Sequence, residues 1–247
     1  MAMLRLPRRQ LLLGASAAVG LFRPLPAAAG SLGLNPISLE IGPGRRMATI
    51  EVTNRGGAAT TVQIRLFAWS QNGDEDILAP TSDLAVSPPI FDVKADEDQV
   101  LRLLLRRPAE RMERAYRLIL DEIPPPGRAR QIVVALRISM PIIVAGTAPA
   151  SPALQWQAGR GTNGRIILTA RNAGQRHTRI NLLEAMLPRG GAPLVARAVG
   201  STPMILPGAE RHWTLDVPGG APRGGSLRLR AHIDGSSTAE QNVALPT

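Results

Sequence analysis

An all-β protein of two sandwiches in tandem is what this sequence predicts, on three observations. Apolar and polar residues alternate with period two through most of the chain beyond residue 30, convincing helical stretches are scarce, and a proline-containing break near residue 150 divides that region in two. The two parts, about 115 and 95 residues long and each carrying several short strands between turn signals, have the size and rhythm of immunoglobulin-like domains.

Residues 1–29 stand apart from that pattern. Arg5, Arg8 and Arg9 precede an apolar run over 11–22, and Ala27-Ala28-Ala29 follows as a small-x-small site. This reads as a cleaved export signal. The run, closed by Arg23, falls short of the roughly 20 residues that span a bilayer, so no stable membrane insertion is expected. The Arg8-Arg9 pair also fits a twin-arginine signal, although two Arg in such a region arise readily by chance.

The first domain is expected over 30–145. Ala48, Ile50 and Val52 alternate with Thr49, Glu51 and Thr53, and Val62, Ile64, Leu66 and Ala68 alternate with Gln63, Arg65 and Phe67. Both read as half-buried strands. Asn72-Gly73 is the residue pair best able to take positive φ and reads as the tight turn that follows. Strands are further expected over 99–105, 115–123 and 131–144. Residues 106–116, with Glu110 and Arg114 at an i, i+4 spacing, read as a connection between two of them. The linker is placed at 146–153, where alternation stops and prolines remove ladder donors. The second domain then occupies 154–247, with strand signals over 165–170, 178–183, 212–217 and 227–233.

Composition narrows the chemistry. With no cysteine, disulfides, thiol catalysis and thiolate metal sites are excluded. The net charge of +10 falls to +6 without the four Arg of the leader. Only seven of 247 residues are aromatic, too few for the stacking platforms of a nucleic-acid binder. His177, His212 and His232 are widely separated, lack a second ligand at helical or hairpin spacing, and read as surface or rim residues rather than metal ligands. The stretch 159–164 matches G-x-G-x-x-G but precedes a strand and opens no helix, so it reads as a glycine-rich turn. Asp74-Glu75-Asp76 and Asp96-Glu97-Asp98 read as solvated loop charge. No catalytic residue, metal site or cofactor is assigned.

The segment 131–144 stands out. Ile132, Val134, Leu136, Ile138, Met140, Ile142 and Val144 place seven apolar residues on one face of a single expected strand, more than one small core needs. Either it is a long core strand continuing into the linker, or an edge strand offering its side chains to another protein.

At this point the sequence resembles the PapD-like periplasmic chaperones of the chaperone-usher pilus pathway. The matching segments are IEVTN at 50–54, SPPIF at 87–91, QVLRL at 99–103, YRLILDEIPP at 116–125 and the long strand, followed by Leu154-Gln155-Trp156 and the N-x-G turn around Asn172. Membership implies two immunoglobulin-like domains, a non-enzymatic role in the periplasm, pilin-like subunits as partners and delivery to an outer-membrane usher. It also implies that the strand is lent to a subunit lacking its own last strand, the β-augmentation mode known from chaperone–pilin complexes. The implied donor set is Ile132, Val134, Leu136, Ile138, Met140 and Ile142. Better-known members use an Arg in the first strand and a Lys late in the donor strand to grip the client carboxylate. Here the expected first strand at 37–41 (ISLEI) has no Arg, and Ser139, Met140 and Pro141 stand where the Lys would be. That pair is therefore not carried over. Arg137, Arg102 and Arg117 are basic cleft candidates, with an ion pair to Asp121 or Glu122 as the alternative for each. The short loop at 124–130 resembles members that build surface pili rather than thin capsular fibres, and the divergent anchor resembles the archaic, Csu-like branch. Self-association of the free form is a further way to cover the edge. The competing reading is an exported two-domain adhesion or carbohydrate-binding module, which would need exposed aromatics from Trp69, Trp156, Trp213 and Tyr116.

Overall fold

The computed structural model describes residues 32–124, 134–188, 190–200, 203–234 and 237–246. The first domain is built from β1 (Leu32–Asn35), β2 (Leu39–Ile41), β3 (Met47–Asn54), β4 (Thr60–Asn72), β5 (Glu75–Pro80), β6 (Leu84–Ser87), β7 (Ile90–Val93), β8 (Asp98–Leu105), β9 (Arg114–Ile123) and β10 (Arg137–Val144). One sheet has the order β1-β3-β8-β6; the other runs β2-β10-β9-β4-β5, with β7 also on β4. Alternation sorts the side chains: Ile50, Val52, Leu101, Leu103 and Leu105 point inward from the first sheet to meet Val62, Ile64, Leu118 and Leu120 of the second. Each such side chain, fully buried, contributes about 1.5–3 kcal/mol. The pairings are antiparallel except for β2, which lies parallel to β10 through Ile142↔Leu39 and Val144↔Ile41.

The second domain comprises β11 (Leu154–Arg160), β12 (Ile166–Asn172), β13 (Thr178–Met186), β14 (Leu194–Ala198), β15 (Met204–Ile205), β16 (Glu210–Leu215), β17 (Ser226–Ile233) and β18 (Ser237–Ala244). Its strands follow the order β11-β12-β16-β14-β13-β17-β18. Strand β14 pairs with β13 through Leu194 to Ala196 and with β16 through Arg197 and Ala198, so it links the two layers. The glycine-rich stretch is a turn, as expected: Asn163 and Gly164 take positive φ between β11 and β12.

Two differences from the expected elements have clear causes. The two-residue loop after β4 is Gly73-Asp74, because Asn72 is itself paired with Glu75; Gly73 supplies the positive φ at the first loop position. The expected strand over 131–144 forms regular pairing over Arg137–Val144, while residues 131–133 lie outside the described residues.

The domains meet over the far end of the second sheet. Trp69, Ile143 and Ala115 point away from the first core and pack into the second domain's cluster. Around them, Gln71 accepts from Leu206 N at 2.9 Å and donates to Met204 O at 3.0 Å. Arg211, 2% exposed, donates to Gly73 O and pairs with Asp76. Asp76 also accepts from Arg117 at 3.2 Å, and the Arg117 guanidinium lies 3.7 Å from the Trp69 ring centroid. Burial lowers the Arg117 guanidinium from its ordinary value, with Asp76 acting in the opposite sense.

Two expectations change here. Asp74 and Asp76 are interface groups rather than solvated loop charge, because the β4–β5 hairpin tip carries them onto the second domain. His177 and His212 are likewise held at the interface instead of a free rim. Each receives a first-domain carboxylate that accepts from its main-chain N–H and lies against its Nδ1: Glu113 at 2.9 and 2.8 Å for His177, Asp74 at 2.8 and 2.8 Å for His212.

Removing Asp76 would leave the buried Arg211 charge without its carboxylate, a loss of about 3–5 kcal/mol for a fully buried pair. Because Asp76 keeps about a fifth of its side chain exposed, Asp76→Ala is expected to cost about 3 kcal/mol in urea unfolding, at the low end of that range. An unchanged midpoint would show that the contact does not hold the domains together.

Candidate functional site: the open edge of β10

Strand β10 is covered unequally along its length. On one side it pairs with β9 from Arg137↔Asp121 to Val144↔Arg114. On the other, β2 covers it only at Ile142 to Val144. Among the described residues nothing else pairs on that side, so the stretch before Ile142 is a sheet edge.

Main-chain parity shows which groups that edge presents. Leu136 O accepts from Glu122 N on the β9 side, whereas Ala145 N donates to Ile41 on the β2 side. Because N–H and C=O directions alternate along a strand, the even positions bond inward to β9 and the odd ones face outward. The open groups are thus the N–H and C=O of Ala135, Arg137 and Ser139, ending at Pro141. Proline has no N–H to offer, and it sits where the outward row would need a donor just before β2 takes over.

The even side chains face the interior of the sandwich. Ile142 and Met140 are 0% and 1% exposed and belong to the first core. Ile138 and Leu136 pack against that core half-buried, and Val134 is 86% exposed. The apolar face thus begins inside the domain and runs out past its end. Of the implied donor set, Met140 and Ile142 are buried here, Val134, Leu136 and Ile138 extend toward the surface, and Ile132 lies outside the described residues.

The three basic candidates do not converge. Arg137 pairs with Asp121 beside the open edge, and Arg65 reaches the same carboxylate at 2.7 Å. Partial burial raises the Asp121 carboxyl, but the hydrogen bonds from Arg137 and Arg65 outweigh it and hold the group below its ordinary value. Arg117 is 9% exposed and engaged with Asp76 at the domain interface. Arg102 is exposed on the outward face of the other sheet, opposite Thr49 and Ser87. Of the alternative ion pairs to Asp121 or Glu122, only the one between Arg137 and Asp121 is formed. Glu122 instead accepts from Leu136 N at 2.9 Å, fixing the start of the open stretch.

Sequence reasoning did not single out a cleft cation on the second domain. Arg176 meets both oxygens of Glu40 at 2.9 and 3.1 Å across the gap lined by residues 145–151. Only the fold brings the two together, 136 residues apart. The aromatics do not form a sugar platform: Trp69, Trp213 and Tyr116 are buried, and Trp156 packs on Trp213 at 5.7 Å. Among the described residues, no group of three or more His, Asp or Glu side chains converges as metal ligands would.

Comparisons with known proteins agree with this architecture. A search of curated proteins returns no match. A chain in the crystal structure of the CsuC-CsuE chaperone-tip adhesion subunit pre-assembly complex, from archaic chaperone-usher Csu pili of Acinetobacter baumannii, is 22% identical. It superposes with a TM-score of 0.64, covering 88% of this chain and 100% of its own. The E. coli chaperone DraB is 19% identical, with a TM-score of 0.55 over 87% of this chain and 97% of its own. A chain of the Salmonella enterica SafA pilin complex with the SafB chaperone is also 19% identical, with a TM-score of 0.55 over 89% of this chain and 97% of its own. At these identities the likeness is one of fold. The family model described as the pili and flagellar-assembly chaperone, PapD N-terminal domain, matches residues 31–149, which contain β1 to β10 with the open edge. The first domain thus matches the PapD N-terminal domain of the pili and flagellar-assembly chaperones, and the chain shares the fold of the chaperone structures above.

Proposed function

We propose that this protein is a periplasmic chaperone that receives fibre subunits by adding its β10 edge to them and passes them to an outer-membrane usher. The observation that carries the reading is the open edge itself. Three consecutive outward positions present main-chain groups with no strand partner among the described residues, and on the same stretch Val134, Leu136 and Ile138 run beyond the domain's own core. A partner that lacks one strand needs both: ladder partners for its exposed edge and alternate apolar side chains for its groove. The Csu and Saf structures, determined with a tip adhesion subunit and a pilin respectively, support that class of partner. The chaperone-usher origin of the Csu complex supports delivery to an usher as part of this reading. Without a subunit, the same edge is open to a second copy of the chain. The domain boundaries proposed for this reading are 30–145 and 154–247, joined by 146–153.

The test is to purify the tagged chain from its own host and identify stoichiometric partners by mass spectrometry. The wild type is expected to carry a small pilin-like subunit that is lost in Val134→Asp and Ile138→Asp. Val134 is open to solvent, so its variant should unfold within about 0.5 kcal/mol of wild type. A lone wild-type chain from cells making the fibre would defeat the proposal.

A second expectation concerns the tie at the edge. A carboxyl held below its ordinary value stabilises the fold above its unfolded-state titration, and that stability is lost as pH falls through the folded-state value. NMR titration should therefore place the Asp121 midpoint lower than in Arg137→Ala, where one of the two stabilising hydrogen bonds is gone. Identical midpoints would mean that Arg137 does not hold this carboxylate in solution.

A further inference from the structure

Strand β10, which carries the proposed site, is gripped by both domains. Its even residues Met140, Ile142 and Val144 lie in the first core. Between them Ile143, 4% exposed, points the other way and lies in the second domain's core. Ile143 is paired with Ala115 of β9. Trp69 of β4 follows Ala68, which pairs with Tyr116, so the three side chains form one row across β10, β9 and β4. All three pack against the second domain. From Ile143 back to Ile138 is about 17 Å along the strand.

We infer that Ile143 is a positioning residue for the open edge, and that the second domain sets the register and direction of β10 through it. This rests on the proposed role of that edge. A strand whose two faces are embedded in different cores cannot rotate about its axis without exposing one set of side chains. It cannot slip by one residue without exchanging both sets. A two-residue slip preserves the faces, but it draws Ile143 out of its seat and brings Pro141 to a position covered by β2. The open groups of Ala135, Arg137 and Ser139 and the side chains of Leu136 and Ile138 are thereby held at fixed points before any partner arrives. Pre-setting them reduces the ordering cost of association.

The experiment has two readouts. In the free chain, hydrogen exchange is measured at the Ile138 and Met140 amides, which bond to β9, and at Leu101 and Leu103 of β8 as a reference within the same domain. Ile143→Ala is expected to speed exchange at the first pair at least tenfold more than at the second, and Ile143→Val to leave a smaller difference of the same sign. Ile143→Ala is also expected to lower the yield of co-purified subunit at least fivefold. Equal acceleration at both pairs, or none, would overturn the inference by showing that Ile143 only adds stability or does nothing to the edge. So would local acceleration with full subunit yield. If Ile143→Ala does not fold, Ile143→Val against wild type makes the same local comparison with a smaller expected difference. The exchange readout needs no partner, so it distinguishes failure here from failure of the chaperone reading, which is judged by Val134→Asp and Ile138→Asp.

Discussion

Arg211 is almost wholly buried, and its charge is met across the domain boundary by the Asp76 carboxylate and the Gly73 carbonyl. A guanidinium in such a place is costly to desolvate unless its partners are held in position. The partners here sit on the rigid β4–β5 hairpin, which reaches the second domain because β4 runs for 13 residues. Asp76 serves Arg117 as well, and Arg117 lies over Trp69. One carboxylate thus joins a second-domain cation, a first-domain cation and the aromatic ring that fills the contact. The neighbouring Asp74–His212 and Glu113–His177 contacts extend this polar rim. The seat of Ile143, and with it the direction of β10, depends on that rim remaining closed.

An uncovered sheet edge is a hazard for any soluble protein, and this chain limits its own. Parallel pairing with β2 covers one end of β10, Pro141 removes a donor at the point where cover begins, and the Arg137–Asp121–Arg65 cluster sets charge beside the open stretch. What remains is short. Its apolar side chains turn toward the inside of the sandwich instead of outward, so a partner must supply a complementary groove in line with the domain's own core. Flat hydrophobic surfaces do not meet that demand, which favours a selective encounter over general stickiness.

Local alternation made most of the strands legible in the sequence, because period two is imposed by the backbone itself. It also identified the apolar face of β10 correctly. It did not show where cover along that face ends, since the burial of Met140 and Ile142 is decided by strands nearly a hundred residues earlier, and Val134 differs from them only in having no opposite layer. The short strands β1 and β2 replaced a single expected strand at 37–41, because Ile37 falls between them and is exposed. Asp74, Asp76, His177 and His212 were not legible as interface groups for the same reason. Their partners lie in the other domain, and a lone polar residue in sequence carries no sign of what will face it.

The parallel contact between β2 and β10 joins residues 39–41 to 142–144, so this sheet of the first sandwich is closed by its first and last strands in sequence. As a chain emerges N-terminus first, β2 must wait through about a hundred residues of synthesis before its neighbour exists. Contacts of such long sequence separation are slow to form because the intervening loop has to close. The same late strand is the proposed docking edge, and it receives its second grip only when the following domain has folded. Assembly of this protein therefore has a built-in sequence in which completion of the fold and readiness of the edge coincide, and a nascent fragment ending before β10 has neither.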